Sequence, residues 1–294
     1  MGRKSQQGVD WSIKHPVQDY APNLRKFSKF LANEGYRESS VDCYTIFAGR
    51  YLKFVKTPTP TIQDATKYRE YLIESNRARS TINNYCFSVQ AYHRMLGEKV
   101  KFPVLRRNNQ VPYFFTEEEI LKIFNSVENI KHLAILKTLF YGCLRVSELS
   151  ALCDEDLSLQ SRTIRVRDGK GGKEALVPIT QDRAETLREY LRIRPKMEID
   201  GKHPLFYTDK GRMWDRREVY RLFIHYKEKA GLKNRPGGAH VFARHSAASI
   251  MIKNGCDILT IKDILRHSNI ETTARYLHMS DKTKREKYEE YLVL

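Results

Sequence analysis

A chain of 294 residues is long enough for two domains of ordinary size. It carries 52 Lys and Arg against 35 Asp and Glu, a formal charge of +17, and 41% of its residues are apolar. That combination excludes a disordered basic tail and points to folded domains with a polyanionic partner, nucleic acid ahead of an anionic lipid surface. No apolar run approaches the ~20 residues that span a bilayer. The stretch MGRKSQQGVDW lacks the apolar core of a signal peptide, so a cytoplasmic protein without membrane contact is expected. Five cysteines, at 43, 86, 143, 153 and 256, show no C-x-x-C or metal-ligand spacing and are expected to be reduced packing thiols.

Residues 1–16 are polar and read as a flexible N-terminus. The periodicity then predicts four amphipathic helices at roughly 17–34, 39–56, 61–75 and 79–96. Leu24, Phe27, Phe30 and Leu31 share one face of the first. Ser39 or Ser40 is the expected cap of the second, and Ser80 or Thr81 that of the fourth. The P-T-P-T run at 58–61 separates the second from the third. Residues 1–110 hold 19 Lys and Arg against 9 Asp and Glu, a net of +10, so charge is denser here than in the rest of the chain. A solvated helical face explains such density; contact with backbone phosphates explains it too, through release of counterions. Residues 17–97 are therefore assigned to one helical domain and 98–113, with Pro103, Pro112 and the Arg106–Arg107 pair, to an extended basic linker.

The second domain is expected over 114–279. Thr116 and Glu119 form a T-x-x-E capping box, which starts a helix near 117. An apolar helix from about Ile130 to Tyr141 is broken by Gly142, and a short helix restarts near Val146, placing Arg145 at its N-terminal region with Glu148 in reach for a bidentate pair. A surface ion pair of little energetic worth is the plain alternative. TIRVRDGKGGKEALVPI alternates apolar and charged residues on both sides of a Gly-rich turn, the form of a β-hairpin with Lys170 at its tip. Helices follow at 181–194 and 215–230, the second with a basic face that includes Tyr220 and Tyr226.

Near the C-terminus, HVFARHSAAS, LRHSNIETT and ARYLH bring polar groups back at intervals. Arg244 and His267 are 23 positions apart, and Tyr276 follows His267 by nine. Singly, each reads most simply as a packed or solvated residue. Their joint pattern with Arg145 does not. The segments GCLRVSELSAL, RDGKGGKEALVPI, RHSAAS and LRHSNIETTARYLH resemble, in order, those of the tyrosine recombinases, the phage-type integrase and Xer-like family, over most of 111–294.

The resemblance implies a mainly α chain: an N-terminal four-helix core-binding (SAM-like) domain, then a mixed helical catalytic domain with a small antiparallel β-sheet. It implies a site-specific recombinase that cleaves and rejoins double-stranded DNA through a 3′-phosphotyrosyl intermediate, for integration, excision or resolution, without ATP, metal or other cofactor. By the same resemblance, Tyr276 is the nucleophile, Arg145 and Arg244 hold the non-bridging oxygens, and His267 donates to the same phosphate. Lys170, with Lys173 as the alternative register, is the general acid on its hairpin. The family's usual His-x-x-Arg is here His240-Val-Phe-Ala-Arg244, one residue longer. At a helical step of four, His240 still shares a face with Arg244 and is assigned as the proton acceptor, with Val241 in the family's His position as the alternative. His245 is read as a packing residue or a support for the site residues, outside the core site itself. Residues 280–294 form a tail expected to be exchanged between protomers, in a homodimer on each DNA site and a homotetramer in the synapse. The expected place of action is the cytoplasm, at the nucleoid, and a directionality factor stays open. A type IB topoisomerase-like enzyme and a non-catalytic DNA-binding relative are the rival readings.

Overall fold

The computed structural model describes residues 20–106, 113–167, 174–276 and 288–289. Two compact units divide the chain, Met1–Asn109 and Gln110–Leu294. No helix among the described residues is long and apolar enough to cross a membrane.

The first unit is four helices, α1 Ala21–Asn33, α2 Glu38–Val55, α3 Ile62–Glu74 and α4 Arg79–Met95. Phe27 and Leu31, one turn apart on α1, are fully buried, and the Thr61–Asp64 capping box starts α3. The expected serine caps are corrected. The residues flanking α2 and α4 at their starts are Arg37 and Ala78, neither with a capping side chain, so Ser39, Ser40, Ser80 and Thr81 lie inside the first turns. α4 is the most buried element, contributing Ile82, Tyr85, Val89 and Tyr92 to the core. Its His93 is fully buried between the Tyr51 hydroxyl at 2.8 Å and the Glu98 carboxylate at 2.6 Å, so no polar ring atom is left orphaned.

The extended stretch after α4 is fastened to this unit as far as Arg106. Asn83 donates to the Leu105 carbonyl and accepts from the Leu105 amide, both at 2.9 Å, and Val100 is buried. A side-chain amide that replaces both partners of a strand is a firm anchor, so this half of the expected linker has a fixed course. The remainder, 107–112, lies outside the described residues, as do the N-terminal 1–16 and most of the 280–294 tail.

The second unit starts with α5 Glu117–Asn125, whose capping box closes on Thr116 and Glu119. Then come α6 Ile130–Tyr141 and the short α7 Val146–Ser150. Gly142 is required between them: a Cβ there would lie 2.8 Å from the Thr138 carbonyl and 2.9 Å from Leu144 Cγ. Strands β1 Leu157–Ser158, β2 Thr163–Val166 and β3 Ala175–Pro178 form an antiparallel sheet in that order, with Val166 opposite Ala175. Ile164, Val166 and Val177 face the core while Arg165 and Leu176 face out, the alternation that the hairpin pattern predicts.

α8 Gln181–Ile193 and α9 Arg216–Lys229 follow. Tyr220 on α9 is exposed, but Tyr226 is buried and hydrogen-bonded to His132, so it does not belong to a DNA-facing surface. Six residues along a helix are about 240° apart, and the two tyrosines cannot share a face. The chain closes with a π-helical turn, Val241–Ser246, and α10 Ala247–Lys253, α11 Ile258–Ile264 and α12 Glu271–Ala274.

Phe242, in the π-helical turn, is the centre of the core. Rings of Phe115, Phe124, Phe140 and Phe223 surround it with centroids 4.9–6.4 Å away. Phe242→Ala is expected to cost about 3–5 kcal/mol. Thermal or urea unfolding measures it, and a loss below about 1 kcal/mol would contradict this account of the core.

Candidate active site

Arg145 is the residue from which α7 starts, and Glu148 satisfies both its backbone and its side chain. The Glu148 Oε2 atom accepts from the Arg145 amide at 2.8 Å, and Oε1 accepts from Arg145 Nη1 at 2.5 Å. The expected bidentate fork is not formed, because one carboxylate oxygen is taken by the backbone. Nor is this a surface pair: Glu148 is buried, and Oε2 also receives Arg266 Nη2 at 2.9 Å. Arg145 Nη2 donates to the Arg266 carbonyl at 3.3 Å.

Arg244 is 1% exposed. Its Nη1 donates to the Cys143 carbonyl at 2.7 Å and its Nη2 to the Leu265 carbonyl at 2.5 Å. Burial, then the like charges of Arg145 and Arg266, bring its pKa down to about 10, still well above neutrality. Arg145 and Arg266 thus pair with Glu148 and Arg244 lies within their electrostatic reach, three positive charges against that one carboxylate among the described residues. A surplus of two buried positive charges, held by carbonyl oxygens, is a standing vacancy of charge for an anion.

The extra residue between His240 and Arg244 sits where the helix widens. From Val241 to Ser246 the chain is π-helical, with i→i+5 bonding that takes up an additional residue in one turn. The widening also changes which side chains meet. In an α-helix His245 would point about 140° away from His240. Here their rings are edge-on with centroids 5.1 Å apart. Tyr276 Oη is hydrogen-bonded to His245 Nδ1 at 2.8 Å. The tyrosine's hydrogen-bonding neighbour is therefore His245, which the sequence reading left outside the core site, while His240 lies one ring beyond. The only sequence signal was the excess residue itself, read as a shift of His240 rather than as a change of helix type.

His267 Nδ1 is held by the Thr273 hydroxyl at 2.9 Å, and Thr273 is buried. Tyr276, just past α12, is 2% exposed. Burial raises its phenol pKa, with Arg244 and Arg275 pulling the other way. Burial lowers the pKa of His240, helped by Arg244 and Arg145. His245 and His267 fall further, each to about 4, from burial first and then from neighbouring His and Arg charges. Arg244 acts on all four of these groups, so Arg145, His240, Arg244, His245, His267 and Tyr276 share one electrostatic neighbourhood. The Cys143 thiol beside it is raised to about 11 by burial and stays protonated. Lys170 and Lys173 lie outside the described residues, between β2 and β3. Among the described residues no group of three or more His, Cys, Asp and Glu could hold a metal ion.

Residues 113–283, which contain this whole arrangement, match the family model of the phage integrase family. The chain belongs to that family. Among its relatives, tyrosine recombinase XerA of Pyrococcus horikoshii is 31% identical over 274 residues, 90% of this chain and 92% of the relative. XerC of Chlamydia caviae is 27% identical over 298 residues, 97% of this chain and 95% of the relative. A crystal structure of XerA recombinase, 25% identical, superposes with a TM-score of 0.55 over 94% of this chain and all of that one. XerH recombinase bound to its difH substrate, in a pre-cleavage complex, has the same fold at 18% identity, with a TM-score of 0.71 over 96% of this chain and all of that one. This phage integrase family member is a tyrosine-type site-specific recombinase, mainly helical with a small antiparallel sheet.

In the recombinase, His245 and His267 are expected to titrate near pH 4 rather than at the ordinary 6.5. A buried neutral imidazole takes up its proton later than in the unfolded chain. The stability linked to both is therefore complete above pH 6.5 and is lost as pH falls from 6.5 towards 4. Imidazole NMR resonances assigned with His245→Gln and His267→Gln measure the midpoints; values near 6.5 would contradict the burial argument.

Proposed function

We propose that this recombinase cleaves and rejoins double-stranded DNA by nucleophilic attack of Tyr276 on a phosphodiester, through a 3′-phosphotyrosyl link. The observation that carries the reading is a buried tyrosine bonded to a neutral histidine beside a charge surplus of two buried guanidiniums. A phenol with a raised pKa is not ionised beforehand, so its proton must leave as the oxygen–phosphorus bond forms. His245 Nδ1, neutral and already in contact, accepts it, with His240 edge-on behind to complete the acceptor pair. A bound phosphate adds negative charge to the cluster, which raises the histidine pKa values towards the working range.

Arg145 and Arg244 neutralise the non-bridging oxygens as the phosphate gains charge, and His267, oriented by Thr273, donates to the same group. Lys170 supplies the proton to the 5′ oxygen as the P–O5′ bond breaks, which leaves a free 5′-hydroxyl. Attack by a 5′-hydroxyl of a partner strand reverses each step: it restores the phosphodiester, returns the proton to Tyr276 and needs no ATP. The arginines supply the charge that a metal supplies in other phosphoryl transfers, so the proposal includes no metal or cofactor.

The helical first unit, with its net +10, would contact DNA backbone phosphates. Two protomers on each site and four in the synapse are proposed by analogy with the family, with integration, excision or resolution as the outcome, in the cytoplasm at the nucleoid. Exchange of the 280–294 tail between protomers is part of the same proposal.

The test is covalent trapping on nicked suicide DNA from the flanking genomic region. Wild type is expected to give an SDS-resistant complex and Tyr276→Phe none, while Arg145→Ala or Arg244→Ala slows trapping by about 10²–10³-fold. DNA that is shifted in a gel but never trapped by wild type would overturn the reading.

A further inference from the structure

Arg266 has no role in the attack described above, yet it occupies the middle of the charge cluster. Its side chain is 8% exposed. Nη2 donates to both the Glu148 carboxylate at 2.9 Å and the Cys143 carbonyl at 2.8 Å, and Nη1 donates to the Ile264 carbonyl at 2.8 Å. Nε is buried without a hydrogen-bond partner among the described residues. The donors that find partners point at protein oxygens, and the carbonyl of the same residue accepts from Arg145 Nη2.

The backbone makes this arrangement more telling. Arg266 has φ +54°, a left-handed conformation that glycine adopts freely and that costs a residue with a Cβ. Cys143, whose carbonyl receives both Arg244 and Arg266, is likewise left-handed at φ +47°. Two unfavourable backbone turns therefore aim carbonyl oxygens into the cluster, and a side chain fills the position where glycine would fit more easily.

We propose that Arg266 is a positioning residue for Arg145. It holds the Glu148 Oε2 atom while Arg145 Nη1 takes Oε1, and its own carbonyl accepts from the second Nη of Arg145. Without its side chain the carbonyl at 266 remains, but Glu148 keeps only one cationic partner and is free to turn, so the Arg145 guanidinium paired to it no longer meets the phosphate in a single orientation. The guanidinium of Arg266 itself does not touch DNA. The inference rests on the proposed function, because it takes Arg145 as a phosphate-holding residue.

The test measures the single-turnover rate of covalent complex formation at saturating nicked DNA, together with gel-shift affinity and melting temperature. The chains are wild type, Arg266→Gly, Arg145→Ala and the double variant. Glycine relieves the backbone conformation, so the fold is expected to persist. Arg266→Gly is expected to slow cleavage at saturation by at least about tenfold, equivalent to about 1.4 kcal/mol, with DNA affinity within about threefold of wild type. In the Arg145→Ala background the same change is expected to cost less than about threefold, because its effect passes through Arg145. Arg266→Lys is the second variant. It keeps the charge and the fold, and since a point charge cannot serve Glu148, Cys143 and Ile264 at once, it is expected to be slower than wild type as well. Cleavage by both variants at the wild-type rate would overturn the proposal, and so would a loss that recurs in full without Arg145. A wild-type chain that forms no covalent complex removes the proposed function and this inference together; normal wild-type trapping beside undiminished Arg266 variants removes the inference alone.

Discussion

Gathering three guanidiniums, two of them buried, about the Glu148 carboxylate is the constraint on which the second unit depends. An arginine taken out of water needs acceptors for its donors, and here they are mostly backbone carbonyls: Cys143, Ile264, Leu265 and Arg266. Carbonyls can converge in this way only where the chain leaves regular helix. The cluster therefore forms where α6 ends and where α11 ends, at two left-handed residues. The surplus of positive charge that results is unfavourable for the protein alone and favourable once an anion enters.

The π-helical turn joins this cluster to the core. Phe242 and Arg244 lie two positions apart in it, the first enclosed by four phenylalanines and the second by carbonyls. An aromatic cluster of that size leaves little freedom to the turn, so the widened backbone is held firmly despite its weaker hydrogen-bond geometry. Packing on one side of the turn thereby fixes the histidines on the other, and the Tyr276–His245 contact inherits its placement from the core.

The first unit shows the same economy with different chemistry. His93 is enclosed by Tyr51 and Glu98, and Asn83 replaces a strand partner for Leu105, so these two buried polar side chains each find a complement. The unit's four helices follow the apolar period closely because each buries one stripe against its neighbours, the condition under which periodicity determines structure most directly.

Sequence by itself determined what is local or periodic. It predicted the four helices of the first unit, the capping box at Thr116, and the hairpin alternation around Ile164 and Val177. It also picked out Arg145, His240, Arg244, His267 and Tyr276 as candidates that the fold brings into one electrostatic neighbourhood. These features depend on neighbours within a few residues or on a pattern of residue types. Only the tertiary structure decided the rest. That Arg37 and Ala78, not the nearby serines, precede α2 and α4 follows from where packing starts those helices. That His245 rather than His240 meets Tyr276 follows from a helix type whose period differs from 3.6. That Glu148 divides its oxygens between Arg145 and an arginine 118 positions away follows from burial, because a buried carboxylate must use every lone pair, and no local spacing reports which distant cation will come to it.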